Sequence, residues 1–385
     1  MRKKYYIDAL NKSTYGVKYY DACSKPHSDA EKIANKLGFE SKYLYGSRLS
    51  KLGKPIWKKV LLHAYNLCWQ TYVLWQARKL NNIKDSDIFL QYGFSTEAMF
   101  PIVRKLKRNG NRIILLIHDF DTFRIASDNS DTKVSYRNKI IRNEKRLIES
   151  VDIAIVHSKP MEKKLREMGY EKKIVILEFF DYLNDYKAEN SAVDIQNHIE
   201  IVFAGNLDKS YFVRKLHEVD ATSGIRYFLY GKYSGELTTN DSVIYKGVFQ
   251  NDDIAGIEGT WGLVWDGDST DTCSGNFGEY LKINAPFKFS LYIAKGLPVI
   301  VWKESAMAYY VEKYGLGIAV SSLNDIYDTI HSLTSEQVRE IQANVLNCSE
   351  IVEGGGENRT ILAPCTKYLI QSKFITTPKE VHYAA

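Results

Sequence analysis

Short apolar runs alternate with helical patterns through most of the chain. In the first half, Tyr5–Leu10, Phe39–Tyr45, Asp87–Tyr92 (DIFLQY), Arg112–Asp119 (RIILLIHD), Val151–Ser158 (VDIAIVHS) and Lys173–Phe180 (KIVILEFF) read as strands. Runs this apolar suit strands covered by helices on both faces, which is how parallel sheets are buried. Ser28 followed by Glu31 makes a capping-box pattern that predicts a helix over Ser28–Leu37, after a turn at Ser13–Gly16. A long helix is predicted from about Pro55 to Lys79, and Phe100–Arg108 reads as a short basic helix with one apolar side. The polar stretch Asp181–His198 breaks the periodicity near mid-chain. A second series follows, with strands at Ile199–Ala204, Ile225–Tyr230, Val243–Tyr245, Trp261–Trp265, Pro298–Trp302 and Gly317–Val320. Helical patterns fall at Asp252–Glu258, Lys288–Lys295, Ser305–Lys313, Leu323–Leu333, Ser335–Leu346 and Asn358–Gln371.

The pattern predicts an α/β protein of two Rossmann-like domains: residues 1–183, a linker at 184–198, a second domain at 199–355, and a final helix and tail at 356–385. A chain of 385 residues is long for one core, which agrees. The overall charge of +6 hides an asymmetry: residues 1–190 hold 36 Lys and Arg against 22 Asp and Glu, and the remainder 16 against 24. A basic N-terminal half is expected to meet something anionic, and an anionic membrane surface or a lipid-diphosphate acceptor fits. Nucleic acid is disfavoured because no zinc-finger, homeodomain or RNP pattern accompanies the charge. The five cysteines, at 23, 68, 273, 348 and 365, have no CxxC spacing, which argues against a disulfide framework or zinc site and for the reducing cytoplasm. Val60–Ala77 carries no formal charge, but its His, Asn, Gln and Thr residues favour a buried or surface-lying helix over a membrane span. The 27 tyrosines suit sugar recognition or interfaces.

The densest chemistry lies between Trp265 and Trp302, where a buried strand, a polar Gly-rich loop, a helix that begins Pro286-Phe287-Lys288 and a second strand follow one another. This order holds a diphosphate at the carboxyl ends of parallel strands. Gly205-Asn206 closes the first strand of the second domain, and Lys209 follows within a turn. Two lysines at one diphosphate would supply the charge that a metal supplies elsewhere; the other reading leaves them as solvated surface groups. Asp266-Gly-Asp268 invites a Mg²⁺ or Mn²⁺ reading, but with lysines at hand the carboxylates are better read as holding sugar hydroxyls or capping the loop. Tyr280, Lys282 and Asn284 would point the same way if extended. The candidate donor contacts are Gly205, Asn206, Lys209, Tyr230, Phe249, Asp266, Asp268, Ser274, Tyr280, Lys282, Lys288 and Ser290, with no metal and no cofactor. In the first half, His118-Asp119 ends the strongest strand, and an inverting transfer needs a base for the acceptor hydroxyl. Asp119 is the first choice and His118 the second; the alternative is that they serve backbone groups. His157-Ser158 and Tyr15-Gly16 are weaker acceptor-side candidates.

The string GLVWDGDSTDTCSGNFGEYLKINAPFKFSLY resembles the donor-binding stretch of bacterial β-1,6-galactofuranosyltransferases of O-antigen and capsule synthesis. It is similar, more loosely, to the glucosyltransferase that extends the glycan of streptococcal serine-rich adhesins. IHDFD at 117–121, VFAGNL at 202–207, FLYG at 228–231 and GLPVIVW at 296–302 fall in the same order, so the resemblance spans most of residues 85–350. It implies a GT-B glycosyltransferase with its two domains facing across a cleft, metal-independent, using a UDP-sugar donor and a lipid-linked glycan acceptor. A cytoplasmic location is expected from the cysteines, peripheral on the membrane if the basic Phe100–Arg108 helix lies on an anionic surface; oligomeric state is open, relatives of this kind often self-associating into a homo-oligomer. Lys288 and Lys209 would hold the diphosphate, Gly205 and Asn206 would border the donor, and His118 and Asp119 would face the acceptor. One departure is the GT-B pair of glutamates eight apart near the ribose: Glu304 and Glu312 have that spacing, but Glu312 falls late in its helix. Two rivals to a transferase remain at this point, a silent nucleotide-binding partner subunit and a nucleic-acid-binding protein.

Overall fold

In the computed structural model the described residues are 2–11, 24–46, 74–92, 96–120, 134–189, 193–219, 224–235 and 237–353, with isolated positions at 61, 64, 67, 68, 71, 72 and 122. They form two six-stranded sheets, each parallel throughout. The first holds β1 (Lys4–Asn11), β2 (Glu40–Gly46), β3 (Asp87–Tyr92), β4 (Arg112–Ile117), β5 (Ile153–Val156) and β6 (Lys173–Ile176) in the order β2-β1-β3-β4-β5-β6. The second holds β7 (Glu200–Ala204), β8 (Arg226–Tyr230), β9 (Val243–Gly247), β10 (Trp261–Val264), β11 (Val299–Trp302) and β12 (Gly317–Val320) in the order β12-β11-β10-β7-β8-β9. Numbered within its own domain, this second order is 3-2-1-4-5-6 read from the β9 edge, the doubly wound nucleotide-binding arrangement. Strand order reverses between β7 and β10, and between β1 and β3 in the first sheet. Ligands of open α/β sheets sit outside the carboxyl ends of strands at such reversals.

The helices are α1 (Ser24–Lys36), α2 (Thr96–Arg108), α3 (Val134–Ser150), α4 (Lys159–Glu167), α5 (Gly275–Tyr280), α6 (Phe287–Lys295), α7 (Ala306–Tyr314), α8 (Ile326–His331) and α9 (Ser335–Val352). The central strands are buried on both faces: every residue of β3, β5, β10 and β11 is buried. Each large apolar side chain so buried contributes roughly 1.5–3 kcal/mol relative to exposure. Trp261 and Trp265 are sealed in the second core with their indole N–H groups donating to Ile195 O (2.8 Å) and Ser269 O (2.9 Å), so neither leaves a polar atom stranded.

Three local expectations change. The first helix begins at Ser24, not Ser28. Pro26 then falls in its first turn, where a missing N–H costs nothing. Glu31 is not a cap partner but accepts from Ser41 Oγ and Tyr43 Oη. Residues 252–258 form turns, not a helix: Gly256 weakens helix propensity, Asp252 pairs with Lys25, and the Glu258 amide donates to Tyr230 Oη. Residues 280–284 are not extended, since the amides of Leu281, Lys282, Ile283 and Asn284 fold back onto carbonyls of 278–280. The predicted turn at Ser13–Gly16, the Tyr15-Gly16 candidate, Asp121 and the helix at Asn358–Gln371 lie outside the described residues. Of the uncharged Val60–Ala77 stretch, the described positions are helical and mostly exposed, including Leu61, Leu67, Tyr72 and Trp75. No helix among the described residues is long and apolar enough to cross a membrane.

The two sheets are joined where their strands end. The Phe120 amide donates to Tyr280 Oη (3.0 Å), Ser158 Oγ donates to Ile283 O, and the Ala285 amide meets His157 Nδ1 (3.4 Å). Lys25, 3% exposed along its side chain, pairs with Asp29 on its own helix (2.6 Å) and with Asp252 of the second domain (3.1 Å). Its ammonium also lies over the Tyr182 ring and donates to Leu183 O. Burial pushes the Asp29 carboxyl up despite that neighbour. Removing one member of so buried a pair leaves an uncompensated charge and costs about 3–5 kcal/mol.

Candidate active site

At the β7/β10 reversal lies a cavity of about 220 Å³, lined among others by Gly205, Asn206, Lys209, Lys232, Phe249 and Lys288. Its floor depends on two glycines. Gly262 in β10 leaves room for the Tyr292 ring, since a Cβ there would come within 2.2 Å of it. The Tyr292 hydroxyl then reaches the Ala204 amide (2.8 Å) and fixes the end of β7. Gly231, at φ 141°, comes so close to the neighbouring turn that a Cβ would lie 1.8 Å from Gly205 O. The Gly205 amide donates to Tyr230 O and the Gly231 amide to Gly247 O, so three strand ends are tied side by side.

Lys288 sits in the first turn of α6, whose N-terminal amides have no side-chain cap. Its ammonium donates to Trp265 O (3.1 Å), stands 4.2 Å from the Phe203 ring centroid and 3.9 Å from Asp266 Oδ2. Burial lowers its pKa, and Asp266 opposes that shift. A desolvated cation with one loose carboxylate partner, at a helix N-terminus, gains from an arriving phosphate. Lys209 is exposed at the rim, and its amide closes a turn on the Asn206 carbonyl (3.2 Å). Lys232 adds a third cation that sequence reading missed.

The other predicted donor contacts separate. Asp266 is an anchor: Oδ1 accepts from Ser210 Oγ (3.2 Å) and the Gly267 amide (3.0 Å). Asp268 packs against Gly275 at the start of α5, and Ser274 is that helix's N-cap residue. Both belong to the loop frame and do not line the cavity. Tyr230 is buried behind Phe249, its ring edge-on to it. Tyr280 bridges the domains, and Lys282 pairs with Glu279 (2.9 Å) and Glu304 (3.2 Å) over the Trp302 ring. Ser290 is fully buried, its hydroxyl without a hydrogen-bond partner. Tyr182, Val248, Asn251, Phe287 and Leu291 line the cavity and were not anticipated. Phe287 had a signal, because it precedes Lys288 in the helix-start motif; Tyr182 had none, because it arrives from the end of the first domain.

Across the cleft, His118 follows β4 and is 8% exposed. Its ring stacks between His27 (3.8 Å between centroids) and Phe180 (5.4 Å), and Nε2 meets Gln91 Oε1 at 2.6 Å. His157, at the end of β5, is edge-on to Phe180. Burial drives all three imidazoles toward the neutral form: His27 down to about 4, His157 to about 3, and His118 well below the ordinary value, helped by its two imidazole neighbours. Asp119 is the partly exposed next residue. Gln91 and His27 were missed, although an amide inside DIFLQY is a polar residue in an otherwise apolar strand.

Family models described as the glucosyltransferase 3-like N-terminal and C-terminal domains match residues 4–179 and 201–363. The chain belongs to this glucosyltransferase 3-like family. The chain is 31% identical over 256 residues to the beta-1,6-galactofuranosyltransferase WbbI of Escherichia coli K12, covering 65% of this chain and 70% of that one. It is 24% identical over 274 residues to glucosyltransferase 3 of Streptococcus parasanguinis, covering 70% and 74%. The fold resembles the sucrose-phosphate synthase of Thermosynechococcus elongatus (TM-score 0.59, 13% identity, 97% and 99% covered). It also resembles the lipopolysaccharide outer core galactosyltransferase WaaB (TM-score 0.52, 12% identity, 97% and 100% covered). The family member described here is therefore a glycosyltransferase of the GT-B fold, as the donor motif had implied.

Proposed function

We propose that the cavity between β7 and β10 holds the diphosphate and nucleoside of a UDP-sugar, and that the sugar is passed with inversion to a growing, lipid-linked cell-surface polysaccharide. Galactofuranose from UDP-galactofuranose is the first choice of donor, supported by the name of the Escherichia coli relative. The observation that carries the reading is the meeting of Lys288, Lys209 and Lys232 with the Gly205 and Gly231 turns at one strand-order reversal. The lysines and the α6 amides would face the diphosphate, while Phe249, Val248 and Leu291 offer apolar surface to the nucleoside. An oxygen of the acceptor attacks the anomeric carbon, the bond from that carbon to the β-phosphate oxygen breaks, and UDP leaves with the electron pair. The hydroxyl proton passes to the His118-Asp119 strand end, with Asp119 the first choice of base. Charge-assisted contacts to the departing phosphate supply roughly 1.5–3 kcal/mol each. Metal independence is part of the proposal: Asp266, the carboxylate nearest a metal reading, is already engaged by Ser210, the Gly267 amide and Lys288.

The second reading is a UDP-glucose or UDP-N-acetylglucosamine donor with a glycan or glycoprotein acceptor, favoured by the similarity to glucosyltransferase 3. Protein-dependent UDP release with UDP-galactofuranose, UDP-galactopyranose, UDP-glucose and UDP-N-acetylglucosamine tests both. Preference for UDP-galactofuranose supports the first, and preference for another donor replaces it. No release with any donor and any glycan acceptor would point to a silent partner subunit.

The proposal places the enzyme on the cytoplasmic face of the membrane as a peripheral protein. Exposed Leu61, Leu67, Tyr72 and Trp75, with exposed Arg104 and Arg108 on α2, support that placement. Sedimentation with vesicles rich in anionic lipid, and failure to sediment with neutral ones, is the expected outcome.

A further inference from the structure

Gln91 makes hydrogen bonds on both ends of its amide at the strand-order reversal of the first sheet. Its Nε2 lies 2.8 Å from Tyr6 Oη and 2.9 Å from the main-chain carbonyl of His27, and its Oε1 lies 2.6 Å from His118 Nε2. A carbonyl oxygen can only accept, so the atom facing His27 O must be the NH₂ group. The atom facing His118 is then an oxygen without a proton, and His118 Nε2 must carry the hydrogen. Turning the ring over would set Cε1 against Gln91 Oε1 and lose the bond. Stacking against His27 and Phe180 holds the ring plane. With Nε2 protonated on a neutral ring, Nδ1 holds the lone pair, and it has no partner among the described residues.

We propose that Gln91 is a positioning residue that locks His118 as the Nε2–H tautomer, so that Nδ1 offers a lone pair to a hydroxyl of the acceptor sugar. This rests on the reading above that the β4 end faces the acceptor. It divides the strand-end pair: His118 orients the acceptor by accepting the hydrogen bond of a neighbouring, non-reacting hydroxyl of the sugar, while the reacting hydroxyl gives its own proton to Asp119 as its oxygen attacks the anomeric carbon. A neutral imidazole does this at every pH where the ring stays unprotonated. Among the described residues the titratable groups that meet His118 are His27 from α1 and His157 from the end of β5, both held neutral by burial; Gln91 and Phe180 carry no charge.

The test joins a spectroscopic readout with kinetics. Long-range ¹H–¹⁵N correlation of histidine-labelled protein, assigned with His118→Gln, should show His118 as Nε2–H with an unprotonated Nδ1 at pH 7.5. Gln91→Leu should mix the tautomers and lower kcat about tenfold or more, with KM for the sugar nucleotide within about twofold. Gln91→Glu keeps the size but sets a carboxylate beside the ring, which favours imidazolium. The acid limb of its kcat profile should move up by about a pH unit or more, with activity partly recovered at high pH. An Nδ1–H tautomer in the wild-type protein overturns the proposal even if no turnover substrate has been found. So does a Gln91→Glu profile that loses activity equally at all pH values, which is what a purely structural role would give. A wild-type Nε2–H signal in a protein that turns over no donor leaves the lock standing and removes the proposed function instead.

Discussion

The two sheets present opposite chemistry at equivalent places. At the reversal of the second sheet the strand ends carry glycine turns, a buried lysine and two rim lysines around a cavity. At the reversal of the first, Gln91 of β3 and His118 and His157 after β4 and β5 meet His27 of α1 and the Phe180 ring, and the three imidazoles are stacked or edge-on and neutral. Both halves have the same α/β architecture, so the difference comes from the few residues after each strand. On the proposed reading, one end meets the anionic diphosphate as it departs, and the other orients an uncharged hydroxyl. The formal charges run the other way: the first half of the chain is the basic one. Among the described residues, part of that charge stands on α2, where Arg104 and Arg108 are exposed.

The largest expected effect comes from the cationic end. Lys288→Ala should lower turnover by about 10²–10⁴-fold, since one preorganised charge at a leaving group is worth several kcal/mol. UDP affinity should fall with it, whereas His118→Ala should lower turnover and leave UDP affinity within about twofold. Equal loss of UDP binding in both variants would erase the division between the two ends. Next is the joint between the domains: Lys25→Ala should cost about 3 kcal/mol of stability, read as a lower urea midpoint, because it strands Asp29 in a buried site.

Acid acts on the other end. Above pH 6.5 the buried imidazoles are neutral in both folded and unfolded chains and contribute no pH dependence. Below it the unfolded chain takes up protons that the folded one refuses until about pH 4 at His27 and about pH 3 at His157. Stability should fall as pH drops through that window, by about 2 kcal/mol per histidine at pH 5. His27→Gln should flatten the slope between pH 7 and pH 5, and an unchanged slope would mean that the ring is not held neutral. The smallest effect belongs to Lys282→Ala: its partners Glu279 and Glu304 are exposed, so stability should change by about 0–1 kcal/mol. Turnover should change less than fivefold, and a loss as deep as that of Lys288→Ala would return Lys282 to the donor site.

Much of this was legible in the sequence. Strand runs such as RIILLI and WGLV were found because double burial makes them continuously apolar, and the Lys288 motif because a strand, a polar loop and a lysine at a helix start leave a linear trace. What escaped depends on pairing across the chain. Gln91, His27 and His118 come from three elements, and nothing in their spacing announces that they stack. Tyr182 belongs to one domain by sequence and to the other's cavity by position. Asp266 is hard to read from sequence because carboxylates beside glycines fit metals, sugars and loop anchors alike; the bonds of Ser210 and the Gly267 amide to its Oδ1, which make it an anchor, come from the fold. The start of α1 was placed a turn late because the Ser28/Glu31 pattern outweighed Pro26, whose position in a first turn is the stronger constraint.

If the cavity between β7 and β10, with Lys288 at its base, holds the diphosphate of the donor, this lysine must carry much of the affinity for UDP. Isothermal titration of UDP into the wild-type protein and Lys288→Ala, without added divalent metal, tests it most directly. Saturable binding to the wild-type protein and at least tenfold weaker binding to a folded Lys288→Ala are expected. Equal affinities in the two proteins would contradict it.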